Sequence, residues 1–155
     1  MGVPHDKIIK KQKMLSEPYK NKDPTKVIEI YHIYAQNKFI KYPSSTERSG
    51  KWLIFVPKNQ INQVWRKIKK SVEIGELGRR AKVSTSRPSP NAQDPNKHVI
   101  CVYTYDSEDV EDVMRIRQRL RELGITNKIP YKTDRATMNG KYAIRGHKKI
   151  SKYVE

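Results

Sequence analysis

The chain has 155 residues, the size of a single domain and long enough to bury a core. Apolar residues make up 35% and charged residues 32%, and 33 Lys and Arg against 16 Asp and Glu give a formal charge of +17. No apolar run approaches the roughly 20 residues of a membrane helix, residues 1–13 hold no signal-peptide-like stretch, and Cys101 as the only cysteine excludes an internal disulfide or a cysteine-cluster zinc site.

These features lead to the expectation of a cytoplasmic protein. A field of this sign attracts polyanions, of which phosphate backbones are the commonest. A solvated basic surface and an anionic membrane surface are the competing explanations. The excess is not a basic tail, because residues 41–97 carry thirteen basic and four acidic side chains, the largest surplus along the chain.

In chain order, residues 1–22 read as a basic flexible arm, with Lys7, Lys10, Lys11, Lys13, Lys20 and Lys22 and little apolar content. Residues 23–155 read as one α+β domain. Asp23-Pro24 has the form of a helix N-cap followed by proline at the first helical position. The next stretch fits a helical stripe (Val27, Ile30, Tyr31, Tyr34) and also strand alternation (Val27, Glu29, Tyr31, Ile33). The cap favours helix over residues 27–35. Residues 51–56 are a strand stopped by Pro57. Ile61, Val64, Trp65, Ile68 and Val72 predict an amphipathic helix capped by Asn59 and ended near Gly75, with Arg66, Lys67, Lys69 and Lys70 outward.

Residues 81–85 and 98–105 are the next two strands, separated by a turn-rich loop. A second helix follows, with Ser107 as cap, acids in its first turn and Arg115, Arg117, Arg119 and Arg121 later, which suits the macrodipole. Val110, Val113, Ile116, Leu120 and Leu123 form its buried stripe and Gly124 ends it. Residues 129–132 and 141–144 are short strands joined by a polar loop, an antiparallel pair that favours α+β over a parallel sheet.

No catalytic signature is present. Gly75 and Gly78 flank Glu76-Leu77 without the Lys or Ser/Thr of a phosphate-binding loop, and His5, His32, His98 and His147 lack metal-ligand spacing. Cys101 lies inside an apolar strand, where a packed thiol is expected. No cofactor, metal or catalytic residue is therefore assigned. The basic residues form groups instead. Arg79, Arg80, Lys82 and Arg87 flank one strand, and Lys132, Arg135, Lys141 and Arg145 flank the last hairpin, with Thr85, Ser86, Thr133 and Thr137 as hydroxyl donors. Guanidinium forks and hydroxyls suit phosphate oxygens. Tyr19, Tyr42 and Tyr142 offer stacking faces, whereas Tyr103, Tyr131, Trp52 and Trp65 read as packing residues.

The strings Gly50-Lys-Trp-Leu-Ile-Phe-Val56, Val64-Trp-Arg-Lys-Ile68, Gly75-Glu-Leu-Gly-Arg-Arg-Ala-Lys-Val-Ser-Thr85, Val99-Ile-Cys-Val-Tyr-Thr104 and Tyr131-Lys-Thr-Asp134 resemble the family named after basophilic leukemia expressed protein, over about residues 25–145. That family is similar in fold to the cap-binding translation initiation factors of the 4E type. The resemblance implies a curved, mainly antiparallel sheet with helices on its convex face. It also implies a stacking role for Tyr42, phosphate contacts from Arg87 or Lys82, and a late phosphate-contacting loop from Arg135 through Lys141. The guanine-reading Glu of the cap binders has no counterpart in the stretch Phe39-Ile-Lys-Tyr-Pro43.

The expectation is a non-catalytic RNA-binding protein, translation- or ribosome-associated, whose partner is RNA or another phosphate-rich polyanion and not a membrane. The candidate contacts are Lys82, Thr85, Arg87, Lys132, Asp134, Arg135, Lys141 and Tyr42. The alternative is an enzyme acting on a nucleotide or phosphorylated substrate through an anion pocket of Lys82, Arg87, Lys132 and Asp134. A module for an acidic protein partner is a third reading. The oligomeric state is open, with a monomer as the default.

Overall fold

Strand alternation organises the molecule. In a computed structural model, which describes residues 5–39, 48–89, 94, 96–135 and 152–155, Trp52, Ile54 and Val56 of one strand face the same way as Ile100 and Val102 of its neighbour. Lys51, Leu53 and Phe55 face the other way, as a period of two requires. The described elements are α1 (His5–Ser16), β1 (His32–Gln36), β2 (Gly50–Pro57), α2 (Ile61–Glu73), β3 (Arg80–Ser84), β4 (Lys97–Thr104), α3 (Val110–Glu122), β5 (Pro130–Thr133) and β6 (Tyr153–Val154). The strands form one curved antiparallel sheet in the order β1-β3-β4-β2-β5-β6. The α+β class and antiparallel sheet are as expected.

The core lies between the convex face and the helices α2 and α3. Ile61, Trp65, Ile68 and Val72 of α2 and Val113, Ile116 and Leu120 of α3 pack with Trp52, Ile54, Val83, Ile100 and Val102 of the sheet. Trp52 and Trp65 are both buried, and Trp52 Nε1 donates to the Val113 carbonyl at 3.1 Å, so the largest sheet side chain also anchors α3. Both helices end where the sequence places a glycine, Gly75 at φ +87° and Gly124 at φ +100°, the left-handed conformation that terminates a helix at little cost.

Several expectations need correction. The Asp23-Pro24 signal starts only a 3-10 turn (Pro24–Lys26), and the following segment forms the edge strand β1 rather than a helix. Pairing with β3, Ile33 opposite Val83 and Ala35 opposite Ala81, outweighs the local cap. Within the segment read as an arm, residues 5–16 form α1, which contacts β1 through the Tyr34 hydroxyl, donating to Gln12 Oε1 at 2.7 Å. The cap of α2 is Gln60, without a side-chain bond, and not Asn59. Asp109 rather than Ser107 caps α3, accepting from the Asp112 amide, because Asp106 first closes a turn on the Glu108 amide. Val110 is then 48% exposed, outside the buried stripe. The expected strand at residues 141–144 lies outside the described residues, and the outer neighbour of β5 is β6.

Candidate nucleic-acid interface

The face of the sheet turned away from α2 and α3 carries the basic side chains. Registration places them in rows across the strands. Gln36 of β1 is opposite Arg80 of β3, and Tyr103 of β4 is opposite Lys51 of β2, which is opposite Lys132 of β5. One step along, Tyr34, Lys82, Cys101 and Leu53 form a second row. Each polar residue in these rows is forced onto this face because its neighbours Ala81, Val83, Trp52 and Val102 belong to the core.

The Tyr103 ring is the floor of the cluster. The Arg80 guanidinium lies 4.4 Å from its centroid, the Lys51 ammonium 5.8 Å and the Lys82 ammonium 6.0 Å, distances at which a cation is attracted to the π face. Asp134 is buried and its Oδ1 lies 3.4 Å from Lys51 Nζ. Burial lowers the pKa of Lys82, with the charges of Lys51 and Arg80 acting in the same direction. Burial also lowers that of Lys132, helped by Lys51. The same loss of water pushes the Tyr34 phenol up to about 12, and raises the Tyr103 phenol and the Cys101 thiol. His32, nearby on β1, is held down to about 3 by burial and then by Lys82, so its imidazole is neutral.

A second basic region lies at the end of the sheet where β3 leaves and β4 enters. Lys58, Arg87 and Lys97, with the hydroxyls of Ser84, Ser86 and Ser89 and with His98 and Asp94, line an open cleft of about 380 Å³. Here Arg87 stacks on Tyr31, 4.2 Å from the ring centroid, and donates to the Glu29 carbonyl at 2.8 Å. Among the described residues Lys58 and Lys97 make no ion pair.

Of the predicted site residues, Lys82, Lys132 and Asp134 share the concave face, with Lys82 on β3, Lys132 three strands away on β5 and Asp134 beside Lys51. Arg87 does not join them. It follows Ser84, which bonds the Val99 amide, whereas Lys132 is registered through Lys51 with Tyr103, four residues further along β4 or on the order of 14 Å. Thr85 is buried with its hydroxyl donating to the Ile30 carbonyl, so it staples the β3 exit to the segment before β1. Arg135 is exposed at the other end, lining a cleft of about 460 Å³ with Arg48, Ser107, Glu108 and Thr133. Tyr42 and Lys141 lie outside the described residues.

Sequence reasoning missed Lys51, hidden in an apolar string, and the place of Tyr103 on the polar face. Alternation within Lys51-Trp-Leu-Ile-Phe-Val56 is the signal that finds Lys51. Among the described residues no group of His, Cys, Asp and Glu has the arrangement of a metal site, and no helix is long and apolar enough to cross a membrane.

A family model described as basophilic leukemia-expressed protein Bles03 matches residues 11–138. The chain belongs to the Bles03 family. Solved structures of eIF4E resemble this Bles03 chain in fold. A schistosome eIF4E complexed with m7GpppA and 4E-BP superposes with a TM-score of 0.60 at 15% identity, over 92% of this chain and 79% of that one. A C. elegans eIF4E-3, in complex with the 4E-binding protein Mextli and a cap analog, gives 0.57 at 18% identity over 81% and 76%. An Ascaris suum eIF4E-3 with the m2,2,7G cap gives 0.48 at 22% identity over 66% of this chain, which spans 61% of that protein's length. The schistosome and C. elegans superpositions show that the Bles03 chain has an eIF4E-like fold.

Proposed function

We propose that the protein is a non-catalytic RNA-binding module, associated with translation, that contacts phosphate groups through the basic end cleft and the adjoining concave face. The observation that carries this reading is the cleft itself. Lys58, Arg87 and Lys97 line it together with Ser84, Ser86 and Ser89, and Asp94 is the one acid among the described lining residues. The net charge of +17 adds long-range attraction to the same partner. The eIF4E-like fold supports a nucleic-acid partner by analogy, since the schistosome relative is complexed with a cap dinucleotide.

Counterion release makes the reading testable. Affinity for a single-stranded RNA, measured by fluorescence anisotropy, is expected to fall steeply as salt rises, with a log–log slope corresponding to several phosphate contacts. An affinity that is flat between low and physiological salt contradicts the reading.

A further inference from the structure

Hydrogen bonds fasten the segment before β1 to the exit of β3. The Thr85 amide donates to the Tyr31 carbonyl and the Ser86 amide to the Val27 carbonyl, both at 3.0 Å. The Thr85 hydroxyl donates to the Ile30 carbonyl, and the Ser86 hydroxyl to that of Thr25 at 2.7 Å. This frame fixes two side chains against each other beside the end cleft, which Arg87 lines. Tyr31, 41% exposed, is the most exposed tyrosine among the described residues. The exposed Arg87 guanidinium lies 4.2 Å from its ring centroid and is oriented by its bond to the Glu29 carbonyl at 2.8 Å. Among the described residues Arg87 makes no ion pair and the Tyr31 hydroxyl no hydrogen bond. Much of the rotamer freedom that an arginine gives up on binding is therefore already lost in the folded protein.

We propose that Arg87 and Tyr31 form a stacking platform for an unpaired nucleobase, next to phosphate contacts from Lys58 and Lys97. The proposal rests on the reading that the cleft takes RNA phosphates, and it adds a preference for single strands. A planar guanidinium and an aromatic ring are the surfaces on which unstacked bases settle. Glu29 favours a base over a further phosphate at this spot. Its carboxylate is exposed on the same segment, held by the Ile28 amide at 3.1 Å, and its carbonyl already occupies one guanidinium donor. A neutral base meets neither obstacle. Bases inside a duplex keep their faces stacked on each other and do not reach the platform. Every base has a π face, so the platform selects strandedness and not sequence.

The test is the affinity of the full chain for two strands of equal length, oligouridylate and a strand with abasic ribose at every position, read by fluorescence anisotropy. The two carry the same phosphates and differ only in their bases. The parent binds oligouridylate about tenfold more tightly than the abasic strand. Arg87→Lys keeps the charge and loses the plane, and Tyr31→Ala removes the ring. Each reduces the preference to less than about threefold, while the salt dependence of abasic-strand binding stays that of the parent. Tyr31→Phe keeps the full preference. Tyr31→Ala is scored together with its melting temperature, and Arg87→Lys, which opens no cavity, guards against a folding defect at Tyr31. Equal binding of the two strands by the parent, or a preference that survives either substitution, overturns the platform and leaves phosphate binding in the cleft standing. Binding of neither strand, even at low salt, overturns the RNA-binding reading and the platform with it.

Discussion

His32 shows how one side chain reports the character of the concave face. Its imidazole is held down to about 3, first by burial and then by the Lys82 ammonium, whereas an unfolded histidine titrates near 6.5. On acidification the unfolded chain therefore takes up this proton before the folded one does. The stability His32 contributes is fully present above pH 6.5 and is lost as pH falls through the window from 6.5 towards 3. His32→Gln is expected to flatten the decline in urea-denaturation stability, most clearly between pH 6.5 and 5, where ordinary carboxylates remain ionised. An unchanged slope there contradicts the assignment of a buried neutral imidazole. None of this is legible in the sequence, where His32 has no diagnostic spacing. Its environment comes from Ser84 opposite and Lys82 one row along, both brought by strand pairing.

Elements were legible in proportion to the strength of their own pattern. The stripes of α2 and α3 and the apolar strings of β2 and β4 are long, and Gly75 and Gly124 mark both helix ends. The edge strand β1 is short and its alternation is blurred by Tyr31 and His32, so a cap signal that builds only one turn misleads. Helix α1 lies in a segment rich in lysine, whose one described side-chain bond to the sheet is Gln12 to Tyr34. By sequence Arg117 is one of four arginines matching the helix dipole, yet the spacing Val113, Ile116, Arg117, Leu120 puts it on the buried stripe. Its guanidinium donates to the carbonyls of Ile125 and Asn127 at 2.8 Å and of Glu155 at 3.1 Å, tying α3 to the following loop and to the residue after β6. Arg117→Ala is expected to cost about 3 kcal/mol or more in urea denaturation, by leaving these acceptors unpaired and a cavity beside Trp52. Arg117→Lys is expected to recover little, because an ammonium cannot reproduce the fork. A loss below about 1 kcal/mol for Arg117→Ala contradicts a structural role.

At the scale of the whole molecule, the sheet sorts charge that looks continuous along the chain. Arg80, Lys82 and Arg87 are neighbours in sequence, but alternation turns the first two inward over Tyr103 and the strand exit carries the third to the end cleft. The helix cations meet a different fate. Arg66 is held by Asp23 through a bidentate pair at 2.7 Å, and Lys67 and Lys70 stay exposed on α2. A diffuse basic field treats all exposed cations alike, since charge at long range is insensitive to position, whereas a binding cleft does not. The most direct measurement is RNA affinity at physiological salt for two charge-matched variants, Lys58→Ala/Lys97→Ala in the cleft and Lys67→Ala/Lys70→Ala on α2. The cleft variant is expected to lose about tenfold or more and the helix variant less than threefold. Equal losses contradict the cleft as the site of RNA recognition.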